Sequence, residues 1–369
     1  MSKLPYGLRW YEIGYLILAG LALHYSDDSF RMQRVPIVGM TPCLFYGITL
    51  ALGAVVLAGR CREQWQKMPN RGLFIIMATA WVLFFAFLGN ATLGYINSPS
   101  LFSWMYDIFT SAESDEQYAL LIPFVVFGLY WWKRETLTAK PLGLWWPGIL
   151  MMAGALLLHL AGYLIQITQI STLAFLLGIY GLTGLVWGKN WLKASIFPFF
   201  LLAFCIPPGQ SIDAFTFRLR LLVATIVSGI AHLGLSPDLV REGTQLSDAQ
   251  HTFAYDVAPA CSGIHSLVAL LALTIIYGFV SFKEPWKRTV LVVSAIPLAV
   301  LGNVTRLCAT IIVAELGGQS AGKAVETKLG FVTFAVAIGC MFLIARQLEK
   351  AGSNPISPGG GSHTGEVAA

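Results

Sequence analysis

Long apolar runs, each closed by a short polar or basic stretch, follow one another from residue 10 to residue 346. Ten can be marked, at 10–25, 40–59, 72–93, 118–132, 145–165, 167–188, 192–208, 262–282, 289–314 and 329–346. A helix needs about 17–25 such residues to cross the hydrocarbon core of a bilayer. The pattern therefore predicts a bundle of membrane-spanning helices, with the first, fourth and seventh runs short for the task. A different pattern marks residues 236–260, "SPDLVREGTQLSDAQHTFAYDVAPA", where polar and apolar residues alternate around a Gly-Thr turn. Its arms "REGTQLS" and "HTFAYDVA" predict a small β-hairpin.

Composition excludes a soluble protein with a single anchor. Of 369 residues, 56% are hydrophobic and 12% charged, against about 25% charged in an ordinary globular domain. The deficit is spread along the chain, and the mean hydropathy is +0.68. The net charge of +5 is no argument for nucleic acid, because the basic residues sit in clusters between apolar runs. These clusters are Arg60–Arg71, Lys133–Lys140, Lys189–Lys193, Lys283–Arg288 and Arg346–Lys350. Placing every cluster in the cytoplasm gives about ten spans with both termini inside. No small-residue cleavage site follows the first apolar segment, so no cleaved signal peptide is expected.

One segment resists this scheme. "SIDAFTFRLRLLVATIVSGIAHLGL" (211–235) is apolar, yet a full crossing would place "SFKEPWKR" outside and bury Arg218 and Arg220. An interfacial or re-entrant helix fits both facts. The loop 236–260 then faces the extracytoplasmic side. The expected fold is an all-α polytopic helix bundle over residues 1–350, with one interfacial or re-entrant helix and an extracytoplasmic β-hairpin. The Gly-, Pro- and Ser-rich residues 351–369 read as a disordered cytoplasmic tail. No internal repeat of the secondary-transporter kind is evident.

Candidate chemistry gathers in residues 236–346. "VAPACSGIHSL" (257–267) puts Cys261, Ser262 and His265 at the start of the eighth run. A thiol at a helix N-terminus is acidified by the unpaired N–H groups there, and the thiolate is the reactive form. Packing explains most membrane cysteines equally well, and Cys43, Cys205, Cys308 and Cys340 read that way. The six cysteines show no metal-ligand spacing and no disulfide framework, so neither a metal nor a cofactor is expected. In the ninth run, "PLAVLGNVTRL" (297–307) carries Asn303 and Arg306 three residues apart, on one helical face. An arginine in such a setting costs about 2.5–3.5 kcal/mol on insertion scales and marks a functional site by default. A guanidinium there can stabilise a thiolate or an oxyanion; an ion pair to Asp256 or Glu315 is the structural alternative.

"APACSGIHSL" (258–267), "PLAVLGNVTRL" (297–307) and "ETKLGFVTF" (326–334), in that order and spacing, resemble the exosortase/archaeosortase family of membrane-embedded cysteine transpeptidases. The resemblance covers residues 236–346; upstream, the chain is similar only as an apolar bundle. It implies cleavage of C-terminal sorting signals of the Pro-Glu-Pro (PEP-CTERM-like) type from secreted proteins, at the outer face of a bacterial inner membrane. It further implies that Cys261 is the nucleophile of a thioester and that Arg306 stabilises developing charge. Ser262, Gly263 and Asn303 would line the substrate site. The acyl group would pass to water, to an amine, or to a lipid or polysaccharide acceptor.

The third motif departs from the family. The position four before Gly330, where a histidine is expected, holds Glu326, and no histidine occurs between His265 and His363. One reading makes Glu326 the replacement base, since burial can raise a carboxyl into the working range. Alternatively His265 or His251 supplies an imidazole, or turnover is lost and the chain only binds substrate tails. A membrane carrier with a polar site around Arg306 is the opposing class; it predicts repeated halves and broken helix pairs.

Overall fold

The computed structural model describes residues 42–90, 98–110, 116–139, 141–207, 213–232, 239–248, 254–256 and 264–351. The chain divides into two compact units, Met1–Ala214 and Phe215–Ala369. Helices dominate both, as expected of a backbone whose polar groups must be satisfied internally where water is absent.

In the first unit the helices are α1 (Pro42–Arg60), α2 (Arg62–Lys67), α3 (Arg71–Leu88), α4 (Leu101–Thr110), α5 (Ile122–Trp132), α6 (Arg134–Thr138), α7 (Pro147–Leu164), α8 (Thr168–Trp187) and α9 (Lys189–Phe200). Two 3-10 helices, Glu116–Leu121 and Leu201–Cys205, extend α5 and α9. The breaks have local causes. Pro69 follows α2, and Asn70 in the left-handed region (φ 51°) starts α3. Gly188 (φ 92°) ends α8 and turns the chain into α9, where Pro198 precedes the change to 3-10 geometry.

α8 is the central element of this unit, with 67% of its apolar window buried against 22% for α3 and α7. Small residues let its neighbours close on it, the usual device where lipid removes the hydrophobic drive for helix association. A Cβ on Gly148 of α7 would lie 2.5 Å from the Leu185 backbone nitrogen. One on Gly178 would fall on the Trp81 ring, so the indole of α3 rests on the bare α8 backbone. Trp81 Nε1–H donates to the Phe175 carbonyl at 3.1 Å. At one end of α8, Thr168 Oγ1–H donates to Asn90 Oδ1 (2.9 Å), and His159 Nδ1 shares a hydrogen bond with Ser171 Oγ (3.0 Å). His159 is thus satisfied locally.

The second unit contains α10 (Asp213–Ile230), a sheet of β1 (Leu239–Glu242), β2 (Gln245–Asp248) and β3 (Ala254–Asp256), then α11 (Ile264–Ser281) and α12 (Pro285–Lys350). α12 is broken at Gly318 (φ 79°, ψ 175°) into two arms. Two apolar clusters hold the unit together. Val223, Ala224 and Val227 of α10 and the fully buried Leu246 of β2 join Val304, Leu307 and Ile311 of α12. Leu267 and Leu270 of α11 join Leu291, Ala295 and Ala299 of the first arm and Ala337, Met341 and Ala345 of the second.

The expected hairpin needs correction. The segment "REGTQLS", read as one arm, itself folds back at Gly243 (φ 64°), pairing Glu242 with Gln245. The third strand then adds to β2, pairing Tyr255 with Leu246, to give an antiparallel sheet in the order β1-β2-β3.

Among the described residues five helices are long and apolar enough to cross a membrane: Arg71–Leu88, Pro147–Leu164, Thr168–Trp187, Pro285–Gly318 and Val332–Lys350. Three shorter apolar helices, Gly47–Val56, Tyr118–Trp132 and Leu267–Ser281, fall on three more of the expected runs. The run at 192–208 is split between α9 and its 3-10 extension. The run at 10–25 and the tail 352–369 lie outside the described residues. α10, which carries Asp213, Arg218 and Arg220, is not among the five.

Candidate active site

α11 and the first arm of α12 form an antiparallel pair joined by the basic corner Lys283–Arg288. The corner is fixed by its own chemistry. Pro285 opens α12, Arg288 Nε–H donates to the Phe282 carbonyl at 2.8 Å, and its guanidinium lies 4.5 Å from the Phe279 ring centre. The Lys287 ammonium lies 3.8 Å from Glu284 Oε2.

From this corner, Arg306 lies 18 residues along α12, or about 27 Å at 1.5 Å per residue. Ile264, the first residue of α11, lies 17 residues back from Ser281, or about 26 Å. The two helices therefore bring residue 264 and Arg306 to the same level, at the end opposite the basic corner. That distance approaches the ~30 Å thickness of a hydrocarbon core.

At this level Arg306 Nη2–H donates to Asn303 Oδ1 at 3.0 Å, the one-turn pair expected from the sequence. Asn303 is buried, at 4% exposure. Its Nδ2 donor has no hydrogen-bond partner among the described residues. Thr310 Oγ1–H caps the Arg306 carbonyl at 3.0 Å. The pair lines a cavity of about 20 Å³ together with Leu270 of α11, Gly302 of the first arm, and Thr333, Phe334 and Ala337 of the second. That volume holds a single water molecule, which needs roughly 10–15 Å³. The arms meet at Gly302, where an added Cβ would sit in ordinary contact, 3.7 Å from the Thr333 carbonyl oxygen. Thr333, Gly302 and Leu270 were not singled out from the sequence. A lone threonine in the apolar "GFVTFAVA" was the available signal.

Of the other candidates, Cys261, Ser262, Gly263 and His251 lie outside the described residues. The seven residues 257–263 link β3 to α11. His265 is the second residue of α11, and Glu326 falls in the second arm of α12. Their side chains are outside the description, but the helix backbones give their register. Position 326 precedes Thr333 by seven residues, two turns, on nearly the same stripe. Position 265 lies about 140° around α11 from Leu270. Among the described residues no group of histidine, cysteine and carboxylate side chains is arranged to hold a metal. The described cysteines are free thiols: Cys205 is buried, with Sγ 3.6 Å from the Ala119 carbonyl, and Cys308 and Cys340 are half-buried.

No curated protein and no solved structure is similar enough to this chain to match it. The model of the transmembrane exosortase family (Exosortase_EpsH) matches residues 104–343, from α4 to the second arm of α12, and so contains the whole Asn303–Arg306 site. The chain belongs to the transmembrane exosortase family.

Proposed function

We propose that this protein is a membrane-embedded cysteine transpeptidase or protease. In this reading it cleaves C-terminal sorting signals of the Pro-Glu-Pro type from secreted proteins, at the extracytoplasmic face of a bacterial inner membrane. The observation that carries the reading is the setting of Arg306. It is oriented by Asn303 on an otherwise apolar arm, at the level where α11 begins three residues after Cys261.

The chemistry follows from these groups. The Cys261 thiol gives its proton to the Glu326 carboxylate, and its sulfur bonds to the scissile carbonyl carbon. The carbonyl electron pair moves to oxygen, where Arg306 and the Asn303 Nδ2–H donor stabilise it. Collapse breaks the C–N bond, and the departing amine takes the proton from Glu326. Water, an amine, or a lipid- or polysaccharide-linked acceptor then attacks the thioester carbonyl and yields its proton to the same carboxylate; the C–S bond breaks and the departing Cys261 thiolate takes that proton. Ser262 and Gly263 line the approach of the substrate chain. Glu326 is taken as the base because its position precedes by two turns Thr333, which lines the Asn303–Arg306 cavity; His265 is the alternative.

A non-catalytic binder of substrate tails is the second reading, favoured by a carboxylate at the position where the family resemblance calls for histidine. A carrier finds less support, since the cavity at Arg306 holds no more than about one water.

The test is co-expression with a secreted substrate bearing a C-terminal sorting signal, comparing Cys261→Ala, Arg306→Ala, Glu326→Ala and His265→Ala. Processing abolished by Cys261→Ala and Glu326→Ala and retained by His265→Ala is the expected result. Processing by Cys261→Ala at the wild-type rate overturns the nucleophile. Tail capture without cleavage in the wild type establishes the binder.

A further inference from the structure

A second cavity, in the first unit, lies far from any of these residues in sequence. Its volume is about 440 Å³, and its walls come from α1, α2, α3, α5, α6, α8, α9 and the 3-10 turn after α9. The interior is apolar, lined by Ala54, Ile75, Val126, Phe127, Ile179 and Leu202. One end is different. There Cys61, Gln64, Arg134 and Thr138 face the space beside three indoles, Trp65, Trp187 and Trp191. The indoles pack on each other, with Trp187 to Trp191 centroids at 4.6 Å and Trp65 to Trp187 at 6.4 Å. Such an aromatic and basic rim over an apolar shaft is what a membrane interface selects.

Shape narrows the occupant. From Trp187 to Ile179 the shaft runs eight residues along α8, about 12 Å. A shaft of that length, with apolar walls and its polar groups confined to one end, matches an alkyl chain carrying a polar head.

The rim adds charge and donors. In sequence, the segments around this end are basic: Arg62, Lys67, Lys133, Arg134 and Lys189 accompany Glu63 and Glu135. Arg134 is held at the mouth by donating to the Trp131 carbonyl (2.9 Å), and its other nitrogen meets Glu135 Oε1 at 3.3 Å in an exposed pair. Exposed pairs of this kind are worth about 0–1 kcal/mol and exchange readily. The indole N–H groups of Trp65 and Trp191 are buried without an acceptor among the described residues.

We propose that this cavity binds one anionic glycerophospholipid, with an acyl chain in the shaft and the phosphate against Arg134 in place of Glu135. The site is independent of the Cys261 chemistry and tests separately from it. The experiment is native mass spectrometry of the full-length protein in non-ionic detergent, titrated with phosphatidylglycerol or phosphatidylcholine of the same acyl chains. The expected result is one phosphatidylglycerol retained per chain, bound about fivefold more tightly than phosphatidylcholine. Arg134→Gln, which leaves the shaft intact, removes that preference. Val126→Trp and, independently, Ile75→Trp fill the shaft and abolish retention of both lipids; either variant suffices if the other fails to fold. No lipid retained by the wild type, or retention unchanged in a folded shaft variant, overturns the site. Equal binding of the two lipids overturns the phosphate contact. A co-purified isoprenoid phosphate in place of a glycerophospholipid overturns the ligand class.

Discussion

At the scale of single residues, the Asn303–Arg306 pair shows how little polar chemistry an apolar helix needs to hold a charge in place. Asn303 supplies one oxygen to the guanidinium and keeps its own amide donor for another acceptor. If that pair stabilises an oxyanion, Arg306→Ala should slow thioester formation by about 10²–10³-fold, the loss typical of one such donor. Asn303→Ala should cost less, about tenfold, because it removes orientation and one weaker donor. Single-turnover cleavage measures this, with capture of substrate by the Cys261→Ala variant as the binding readout; weakened capture with unchanged turnover would assign the pair to binding alone. Cys61 gives a second residue-level prediction. Burial pushes its thiol above the ordinary value, outweighing the opposite pull of the nearby Arg134 charge. At neutral pH it holds less thiolate than a free thiol, so maleimide should label it slowly and faster as the pH rises towards 9. Bound phospholipid should slow it further, and labelling at the rate of an exposed cysteine contradicts both points.

At the scale of elements, side-chain hydropathy was enough to place most helices. The runs at 145–165 and 167–188 became α7 and α8 with ends shifted by at most two residues, because nothing but apolar content decides such segments. It failed where backbone chemistry decides. Pro198 splits the run at 192–208, and Gly243 with φ 64° turns a supposed strand into a hairpin. Pairing of β3 with β2 depends on residues far apart in sequence, which alternation alone cannot rank. Thr333 escaped notice for a related reason, since only the approach of the second arm to Gly302 brings it beside Asn303. The glycine contacts around α8 allow a sharper test. Gly178→Ala places a methyl inside the Trp81 ring and disturbs its bond to Phe175, an overpacking cost of about 1–3 kcal/mol. Gly154→Ala meets nothing within 4 Å and should be neutral or slightly stabilising. Denaturation of the two variants in matched micelles measures the difference; equal stability would mean that Trp81 does not rest on α8.

At the scale of the whole molecule, the family was legible from three short motifs because each joins a polar residue to an apolar helix at fixed spacing, a combination that packing alone does not produce. Orientation rests on a separate argument, the placement of the basic clusters. The two meet at the Lys283–Arg288 corner: if it is cytoplasmic, the antiparallel pair of α11 and the first arm of α12 puts residue 264 and Arg306 about 26–27 Å away, at the other face. Cys261 should then react with a membrane-impermeant maleimide on intact cells, in a variant whose other cysteines are replaced. A cysteine introduced in the tail by Ser357→Cys should react only after permeabilisation. Labelling of Cys261 that also requires permeabilisation would invert the orientation and place the thiol on the side secreted substrates leave. Labelling of neither thiol, even in permeabilised cells, would mean that Cys261 is packed, and the nucleophile would have to be sought elsewhere.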